Sequence, residues 1–268
     1  MREAVVISIG NELLNGFTIN SNLRIISKEL TLAGYKVRRG LVVRDDTSEI
    51  AWALGIGTEH DLVVTTGGLG PTFDDITSRS LAEFLGVPLE ENSEARGYLD
   101  DWYRKIGLPF TQERLKMAMM PRGSEALRNP VGAAPGILTR FNDCTIISLP
   151  GVPAENDGII HSIRSRLTVR GWVNLERVYS VPGALESKLA DVVNRTMKQM
   201  DGKVYIKSHP MNSESGNPGV ILQITASGSD RNTVEGDLVR TVELLRKLLN
   251  NKESKLDLFP IVEDGEPG

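Results

Sequence analysis

A short apolar run that leads directly into a glycine-rich turn is the feature that most restricts the fold of this chain. Residues 61–66 read Asp-Leu-Val-Val-Thr-Thr, with the length and β-branched content of a buried strand. Residues 67–75 follow as Gly-Gly-Leu-Gly-Pro-Thr-Phe-Asp-Asp. A buried strand that ends in a tight turn before an amphipathic segment is typical of α/β domains, so we predict a mainly parallel sheet covered by helices.

The same alternation of apolar and amphipathic segments extends to about residue 170 and predicts one doubly wound α/β unit over 1–170. The segment 91–120 is predicted to be helical with a break at Gly107-Leu108-Pro109. The other predicted elements are the strands 4–9, 37–43, 61–66 and 144–149 and the helices 19–33, 48–59, 74–85 and 153–167.

Beyond residue 170 the strands are fewer, and we place a domain boundary there. The pattern over 171–250 predicts a small α+β domain in the order β-α-β-β-α, with an exposed loop at 210–218. The acidic composition of 251–268 predicts a disordered tail. The elements predicted in the small domain are the strands 176–181, 203–208 and 219–226 and the helices 184–200 and 232–249.

Composition and charge exclude several classes of protein. Hydrophobic residues at 40% and charged residues at 25% are ordinary for a globular protein, and no apolar run approaches the roughly 18 residues that span a membrane. A net charge of -4 with mixed signs offers no basic surface for nucleic acid. The single cysteine, Cys144, allows neither an internal disulfide nor a thiolate zinc site, and we expect a small buried residue in a cytoplasmic protein.

The turn over 67–75 is suited to bind phosphate. Its three glycines expose backbone amides, and Pro71 fits the first turn of the following helix, where its missing amide hydrogen costs nothing. An anion at that place would also meet the positive end of the helix dipole. Asp74 and Asp75 are then first-turn carboxylates, which either cap the helix or hold a divalent cation shared with the phosphates.

The loop after the first strand, Gly10 to Gly16, carries a second set of polar residues. Because loops that follow parallel strands gather at one edge of the sheet, we expect Glu12 to lie near Asp74 or Asp75. Three carboxylates would form a magnesium-type site. Glu12 is otherwise a solvated loop acid, and Asn20 either contacts the ligand or caps the next helix.

Two further loops combine glycine with proline. Residues 129–136 read Asn-Pro-Val-Gly-Ala-Ala-Pro-Gly, and residues 149–155 read Leu-Pro-Gly-Val-Pro-Ala-Glu. Either loop alone is better explained as a rigid turn between two elements. Their convergence with the first two loops on one edge of the sheet favours a shared ligand-binding site.

Together the four ordered motifs resemble the CinA family, and most closely its N-terminal molybdopterin-binding-like domain. The resemblance covers about 1–168, and the segment 172–250 is similar to the small middle domain of that family. It implies a three-layer α/β fold related to MoaB, MogA and MoeA, which are proteins of molybdenum cofactor assembly. The motifs are Gly10-Asn11-Glu12-Leu13-Leu14-x-Gly16 with Asn20, Gly67-Gly68-Leu69-Gly70-Pro71-Thr72-x-Asp74-Asp75, Asn129-Pro130-Val131-Gly132-x-Ala134-Pro135-Gly136 and Leu149-Pro150-Gly151-Val152-Pro153.

The resemblance implies a metal-dependent pyrophosphatase that cleaves ADP-ribose, FAD or a similar dinucleotide. The implied divalent metal is Mg, Mn or Co, with K as a further candidate cofactor. The alternative is a molybdopterin-binding protein or a molybdopterin adenylyltransferase. The deamidase domain at the C-terminus of many CinA proteins has no room here, so we expect that activity to be absent. Relatives that contain the small domain commonly self-associate, and we expect a homo-oligomer.

Two positions depart from the usual family pattern. Asn11 replaces a threonine, and Ala133 replaces the threonine of Gly-Thr-Ala-Pro-Gly, which affects the identity of the substrate more than the metal site. We assign the metal and the catalytic chemistry to Asp74, Asp75 and Glu12. The predicted ligand-binding residues are Gly10, Asn11, Asn20, Gly67, Gly68, Leu69, Gly70, Pro71, Thr72, Gly132, Ala133, Ala134, Pro135, Gly136, Pro150 and Gly151.

Overall fold

The computed structural model describes residues 2–211, 219–250 and 256–261. The chain divides into two compact units, Met1–Val169 and Arg170–Gly268, with the division one residue away from the predicted boundary. None of the helices in the described ranges is long and apolar enough to cross a membrane.

The first unit alternates strands and helices in an order close to the one that the hydrophobic pattern predicts. Its strands are β1 (Arg2–Ile9), β2 (Tyr35–Val43), β3 (Leu62–Thr66), β4 (Leu89–Glu91), β5 (Met119–Pro121), β6 (Glu125–Leu127), β7 (Gly136–Phe141) and β8 (Cys144–Leu149). Its helices are α1 (Asn11–Leu14), α2 (Ser21–Leu32), α3 (Thr47–Gly57), α4 (Thr77–Leu85), α5 (Ser93–Lys105), α6 (Gln112–Leu115), α7 (Pro153–Ser162) and α8 (Arg164–Leu167), with a 3-10 turn at Lys116–Ala118.

Six of these strands form one sheet in the order β2-β1-β3-β8-β7-β6. β1 is parallel to β2 and β3, and β3 is parallel to β8, whereas β7 and β6 are antiparallel additions. Val5 and Ile7 of β1 belong to the core cluster that includes residues of α3, α4 and α5. Ala4 and Val6 belong to a second cluster with α2 and α7. A sheet buried on both faces by helices is the predicted three-layer α/β architecture, which is confirmed.

The hydrophobic pattern does not predict the short antiparallel strands. Residues 119–121, at the end of the segment predicted to be helical, form β5, where Pro121 pairs with Leu89 of β4. A proline cannot continue a helix, so the chain leaves the helical conformation there. Gly136, the last residue of the third predicted loop, is already part of β7 and pairs with Leu127 of β6.

The elements of the second unit are β9 (Val173–Pro182), α9 (Glu186–Gln199), β10 (Val204–Met211), β11 (Gly219–Gly228), α10 (Arg231–Leu249) and β12 (Phe259–Pro260). The predicted order β-α-β-β-α is confirmed, with one additional strand at the end. The four strands form an antiparallel sheet in the order β10-β11-β9-β12, and the two helices share a hydrophobic core with it.

The prediction of a disordered tail is wrong for residues 256–261. β12 pairs with β9, and the amide of Ile261 donates to the carbonyl oxygen of Val178 at 2.8 Å. Leu258 is buried in the core of the second unit. A short apolar segment inside an acidic stretch is thus fixed by burial and strand pairing, which average composition does not show.

Parts of two predictions lie outside the described residues. They are residues 212–218 of the predicted exposed loop, and residues 251–255 and 262–268 of the predicted tail. The two described residues of that loop, Pro210 and Met211, are exposed and continue β10.

Cys144, the first residue of β8, is buried, as predicted. Burial raises the pKa of its thiol to about 11, so the group stays protonated at neutral pH. A protonated thiol is a poor nucleophile and metal ligand, and Cys144 acts as a packing residue.

Candidate functional site

The carboxyl ends of the four parallel strands lie in register at one edge of the sheet. Ile9 at the end of β1 pairs with Val43 at the end of β2. Thr66 at the end of β3 pairs with Leu149 at the end of β8. β7 runs antiparallel to β8, so the loop before it reaches the same edge. The four loops identified in the sequence therefore converge, as expected for the ends of parallel strands.

Gly67 has a backbone conformation and surroundings that only glycine fits. Its φ of +105° lies in the left-handed region, and a Cβ atom would lie 2.1 Å from the carbonyl oxygen of Ile9. Its amide donates to the carbonyl oxygen of Leu149 at 3.0 Å. Its carbonyl oxygen accepts from the hydroxyl of Thr77 at 2.8 Å. The turn is thereby held against β1, β8 and α4.

The next residues of the turn present backbone donors. The amides of Gly68, Leu69 and Gly70 donate to no acceptor among the described residues. The Leu69 side chain is buried in the hydrophobic core, so this residue can serve a ligand only through its backbone. Consecutive free amides on a glycine-rich turn are suited to bind an anion.

Residues 71–76 form a turn, and the helix begins later than predicted. The Thr72 hydroxyl donates to Asp74 Oδ1 at 2.5 Å and also lies 2.6 Å from Asp75 Oδ2. The Thr72 amide donates to Asp75 Oδ2 at 2.8 Å. α4 starts only at Thr77. The predicted first-turn positions of the proline and the two aspartates are therefore wrong, because both carboxylates fold back onto Thr72 and not onto helix amides.

The same turn is held from outside by Lys116, whose ammonium group donates to the carbonyl oxygen of Thr72. The hydrogen bond from Thr72 lowers the pKa of the Asp74 carboxyl, and the positive charge of Lys116 acts in the same direction. Asp74 is consequently an exposed and ionised carboxylate at neutral pH.

The loops line a cleft of about 400 Å³ in which acidic side chains accumulate. No lysine or arginine is among the described residues that line it. Negative charges that share one cleft repel one another, so the cleft is suited to hold a cation or protons. Its five carboxylates are those of Glu12, Asp45, Asp74, Asp75 and Glu155.

Asp45 is one of two cleft carboxylates that the sequence reasoning misses. It follows the end of β2 by two residues, and its Oδ2 accepts from the Asn11 amide at 2.9 Å. Burial raises the pKa of Asp45, and the charges of Glu12 and Asp74 raise it further. Its position after the carboxyl end of a parallel strand is the signal that could have identified it.

We expect Asp45→Asn to stabilise the ligand-free protein. A carboxyl with a raised folded-state pKa destabilises the folded state in its charged form, and this cost disappears as the pH falls below the unfolded-state pKa. Asparagine still accepts the hydrogen bond from the Asn11 amide. The gain is expected to be roughly 0.5 kcal/mol, or about 1–2 °C in Tm, at neutral pH and absent near pH 3. Thermal unfolding at both pH values measures it, and a neutral-pH loss of stability contradicts it.

Glu155, in the first turn of α7, is the second carboxylate that the sequence reasoning misses, although it ends the fourth predicted loop. A Cβ atom on Gly132 would lie 1.9 Å from Glu155 Oε1, so glycine at that position leaves room for the carboxyl group. Burial raises the pKa of Glu155, and a hydrogen bond with Asn129 partly offsets this. A partly buried carboxyl group in a cleft is suited to proton transfer.

The first loop uses Asn20 as a helix cap. Asn20 Oδ1 accepts from the Leu23 amide at 3.1 Å, and the Asn20 side chain also lies 3.0 Å from the Ser8 hydroxyl oxygen. The capping alternative for this residue is thus confirmed.

The third loop is shaped by the buried side chain of Asn129. Its Oδ1 accepts from the amides of Val131 and Gly132 at 3.0 and 2.8 Å. Its Nδ2 donates to the carbonyl oxygen of Ala134 at 2.9 Å. Ala133 and Ala134 are held at the wall of the cleft by this closed loop.

Thr66 joins the second and fourth loops through a buried hydrogen-bond network. Its hydroxyl accepts from Asn22 Nδ2 at 2.9 Å and from Asn156 Nδ2 at 2.8 Å. It donates to the carbonyl oxygen of Pro150 at 2.9 Å. Asn22 Nδ2 also donates to the carbonyl oxygen of Gly151 at 2.8 Å. Two buried amides therefore fix the loop at Pro150 and Gly151 relative to the end of β3.

We expect Thr66→Val to destabilise the protein by about 2 kcal/mol, because it removes three hydrogen bonds from a buried position while it keeps the shape of the side chain. Thr66→Ser retains the hydroxyl and is the matched control. Urea unfolding of both variants and the wild type measures the difference. Equal stability of the valine and serine variants contradicts the prediction.

The structure brings most of the predicted site residues to the cleft, and the others lie on the same loops beside it. Those that line the cleft are Gly10, Glu12, Gly67, Gly68, Gly70, Pro71, Asp74, Asp75, Ala133, Ala134, Pro150 and Gly151. Those outside its lining are Asn11, Asn20, Leu69, Thr72, Gly132, Pro135 and Gly136.

The cleft offers oxygen ligands without a preformed metal cage. In the part of the chain that the structure describes, no three His, Cys, Asp or Glu side chains are grouped closely enough to hold a metal ion. Mg²⁺ is commonly held by one or two carboxylates together with waters and the phosphates of a ligand. The cleft carboxylates fit that mode in their chemistry, since they are hard oxygen donors.

Comparisons with known proteins show that the chain is similar to a family model, to two proteins of other organisms and to a solved structure. The family model described as "Probable molybdopterin binding domain" matches residues 5–167. A protein of Caldivirga maquilingensis is 45% identical over 252 residues, which cover 94% of this chain and 97% of the relative. A protein of Thermoplasma volcanium is 38% identical and covers 94% of this chain and 100% of its own length. A crystal structure described as "the protein CinA with unknown function from Thermoplasma acidophilum" has 41% identity and a TM-score of 0.59, and covers 63% of this chain and 100% of its own.

Proposed function

Because the chain belongs to the "Probable molybdopterin binding domain" family and is confirmed as similar to CinA, we propose that it is a metal-dependent nucleotide pyrophosphatase of the cytoplasm. The substrate class is ADP-ribose, FAD or a similar dinucleotide. The observation that carries the proposal is the convergence of free backbone amides and five carboxylates on one cleft.

The charge of the cleft is the reason for a metal-dependent reaction. A pyrophosphate that enters a site lined by five carboxylates, without lysine or arginine among the described lining residues, is repelled by the charges of the side chains that line it. Backbone amides offset part of this repulsion. A divalent cation held by cleft carboxylates would offset the rest, and Mg, Mn and Co are the candidate cofactors.

Each group of residues has a role in the proposed hydrolysis. The amides of residues 68–70 bind phosphate oxygens. One or two carboxylates among Asp74, Asp75 and Glu12 would hold the cation, which when bound would supply Lewis acidity toward the pyrophosphate. Glu155 accepts the proton of the attacking water as one phosphorus–oxygen bond forms and the bridging bond breaks.

A second candidate function is favoured by the family description itself. A molybdopterin-binding protein or molybdopterin adenylyltransferase also needs a cleft that holds phosphates close to a planar ring. The transferase would join adenylate from ATP to the pterin phosphate and would release pyrophosphate. Its product, adenylylated pterin, is not formed by the hydrolase.

The test is a metal-supplemented hydrolysis screen on the full chain. Purified protein is incubated with Mg²⁺, Mn²⁺ or Co²⁺, with and without K⁺, and with ADP-ribose or FAD. We expect AMP with ribose 5-phosphate from the first substrate and AMP with FMN from the second. Intact substrates under every metal condition, combined with adenylylated pterin from ATP and molybdopterin, would select the transferase and overturn the hydrolase.

A further inference from the structure

Exposed apolar side chains of the first unit are concentrated on the loops around the cleft. Of the nine large hydrophobic residues that are exposed in the described part of this unit, six lie on the segments that follow β1, β3 and β8 or precede β7. Large hydrophobic side chains are mostly buried in globular domains, and a local concentration of exposed ones indicates a binding role. The six are Leu14, Phe17, Ile19, Phe73, Val131 and Val152.

Phe73 is the most exposed of them and lies in the best-anchored turn. Its side chain is 93% exposed. The preceding residue, Thr72, is bonded to both following aspartates and to Lys116, so the backbone that carries the ring is held in a defined place. Asp74, its neighbour in sequence, lines the cleft. An aromatic ring on a fixed turn next to a phosphate-binding loop has no packing role in the first unit.

We propose that Phe73 is a stacking residue for the planar heteroaromatic ring of the ligand whose phosphates the glycine-rich turn binds. Val152, which lines the cleft and is itself exposed, adds apolar surface from the fourth loop. Phe73 is not among the residues that line the cleft, but Asp74, next to it in sequence, is. Amides for phosphate on the glycine-rich turn and exposed apolar side chains on the loops at the rim of the cleft match a ligand with phosphates at one end and a ring at the other. The inference rests on the proposed function only in that a phosphorylated ligand occupies this cleft.

The charges of the cleft favour a ligand ring over a second copy of the chain. Interface cores between proteins are depleted of charged residues. A contact through the rim would enclose Asp74 and its neighbouring carboxylates, and a symmetric copy would add the same negative charges opposite them. A phosphorylated ligand arrives with a cation that neutralises these charges, so its ring meets no such cost.

The proposal is tested by measuring the binding of ligands with and without a ring, which does not depend on turnover. Dissociation constants are measured by calorimetry with Mn²⁺ for an α,β-methylene analogue of ADP-ribose, for a pterin monophosphate and for methylenebisphosphonate, which has no ring. We expect Phe73→Ala to weaken binding of the ring-bearing ligand about tenfold and to leave the bisphosphonate unchanged. The ligand whose binding is weakened by Phe73→Ala, the adenine-bearing analogue or the pterin monophosphate, identifies the ring that stacks on Phe73. Phe73→Tyr, which retains the ring, is expected to bind as the wild type does.

Trp52, 59% exposed on α3, gives the control Trp52→Ala, which is expected to change no dissociation constant. Equal weakening of the ring-bearing and ringless ligands by Phe73→Ala overturns the proposal. So does the absence of wild-type binding to every ring-bearing ligand, or a change of oligomeric state in Phe73→Ala by sedimentation. If the wild type binds the analogue with the expected Phe73 dependence but leaves ADP-ribose intact, the stacking role stands and the hydrolase proposal fails.

Discussion

Gly67→Ala is expected to lower the stability of the protein by at least about 3 kcal/mol, or roughly 6–12 °C in Tm. A residue with a Cβ atom at a φ of +105° is strained by about 1–2 kcal/mol. The new methyl group would also lie 2.1 Å from the carbonyl oxygen of Ile9, which is backbone of β1 and cannot move aside because that strand is paired with β2 and β3. Thermal unfolding of the full chain measures the loss.

Gly55→Ala is the matched control for this variant. Gly55 lies inside α3, and an added Cβ atom there meets no neighbouring atom within 4 Å. Alanine is favoured over glycine in a helix by up to about 1 kcal/mol, so this variant is expected to be slightly more stable than the wild type. Equal stability of Gly67→Ala and Gly55→Ala contradicts the steric argument.

Asp75→Asn is expected to lower kcat for ADP-ribose hydrolysis by at least about 100-fold while Tm changes little. Asparagine retains an oxygen that accepts from the Thr72 amide and hydroxyl, so the turn keeps its geometry. The substitution removes one of the negative charges that we propose hold the divalent cation. Steady-state hydrolysis over a range of Mn²⁺ concentrations measures kcat and the metal requirement together.

Asp191→Asn provides the control for this experiment, because Asp191 is an exposed residue of α9 in the second unit. It is expected to retain full activity. Treatment of the wild type with EDTA is expected to abolish turnover, and Mn²⁺ to restore it. An Asp75→Asn variant with wild-type kcat, or full activity in EDTA, would remove this aspartate from the proposed metal site.

Much of the site follows from the chain alone. Apolar runs with buried β-strand character identify β1, β3 and β8, and parallel strands bring the loops after them to one edge. That rule is enough to place Glu12, Asp75 and Gly151 at the same cleft. The requirement for glycine at position 67 is also visible in the sequence, although its cause, the carbonyl oxygen of Ile9, is not.

Tertiary structure decided the finer points, because they depend on which partner a side chain finds. Thr72 binds the carboxylates of Asp74 and Asp75, and α4 therefore starts at Thr77 and not at the proline. Leu69 lies in a glycine-rich motif, but its side chain is buried in the hydrophobic core, because burial there removes its apolar surface from water.

The apolar run into the glycine-rich turn thus determined the layer architecture and the edge of the sheet where the cleft lies, because periodicity and chain direction are local properties. The five-carboxylate composition of the cleft was decided by the fold. Asp45 and Glu155 are ordinary acids in the sequence, and only the packing of their loops places them in one cleft with Glu12 and Asp74. Burial raises the pKa of both carboxyl groups, and the charges of Glu12 and Asp74 add to the shift at Asp45.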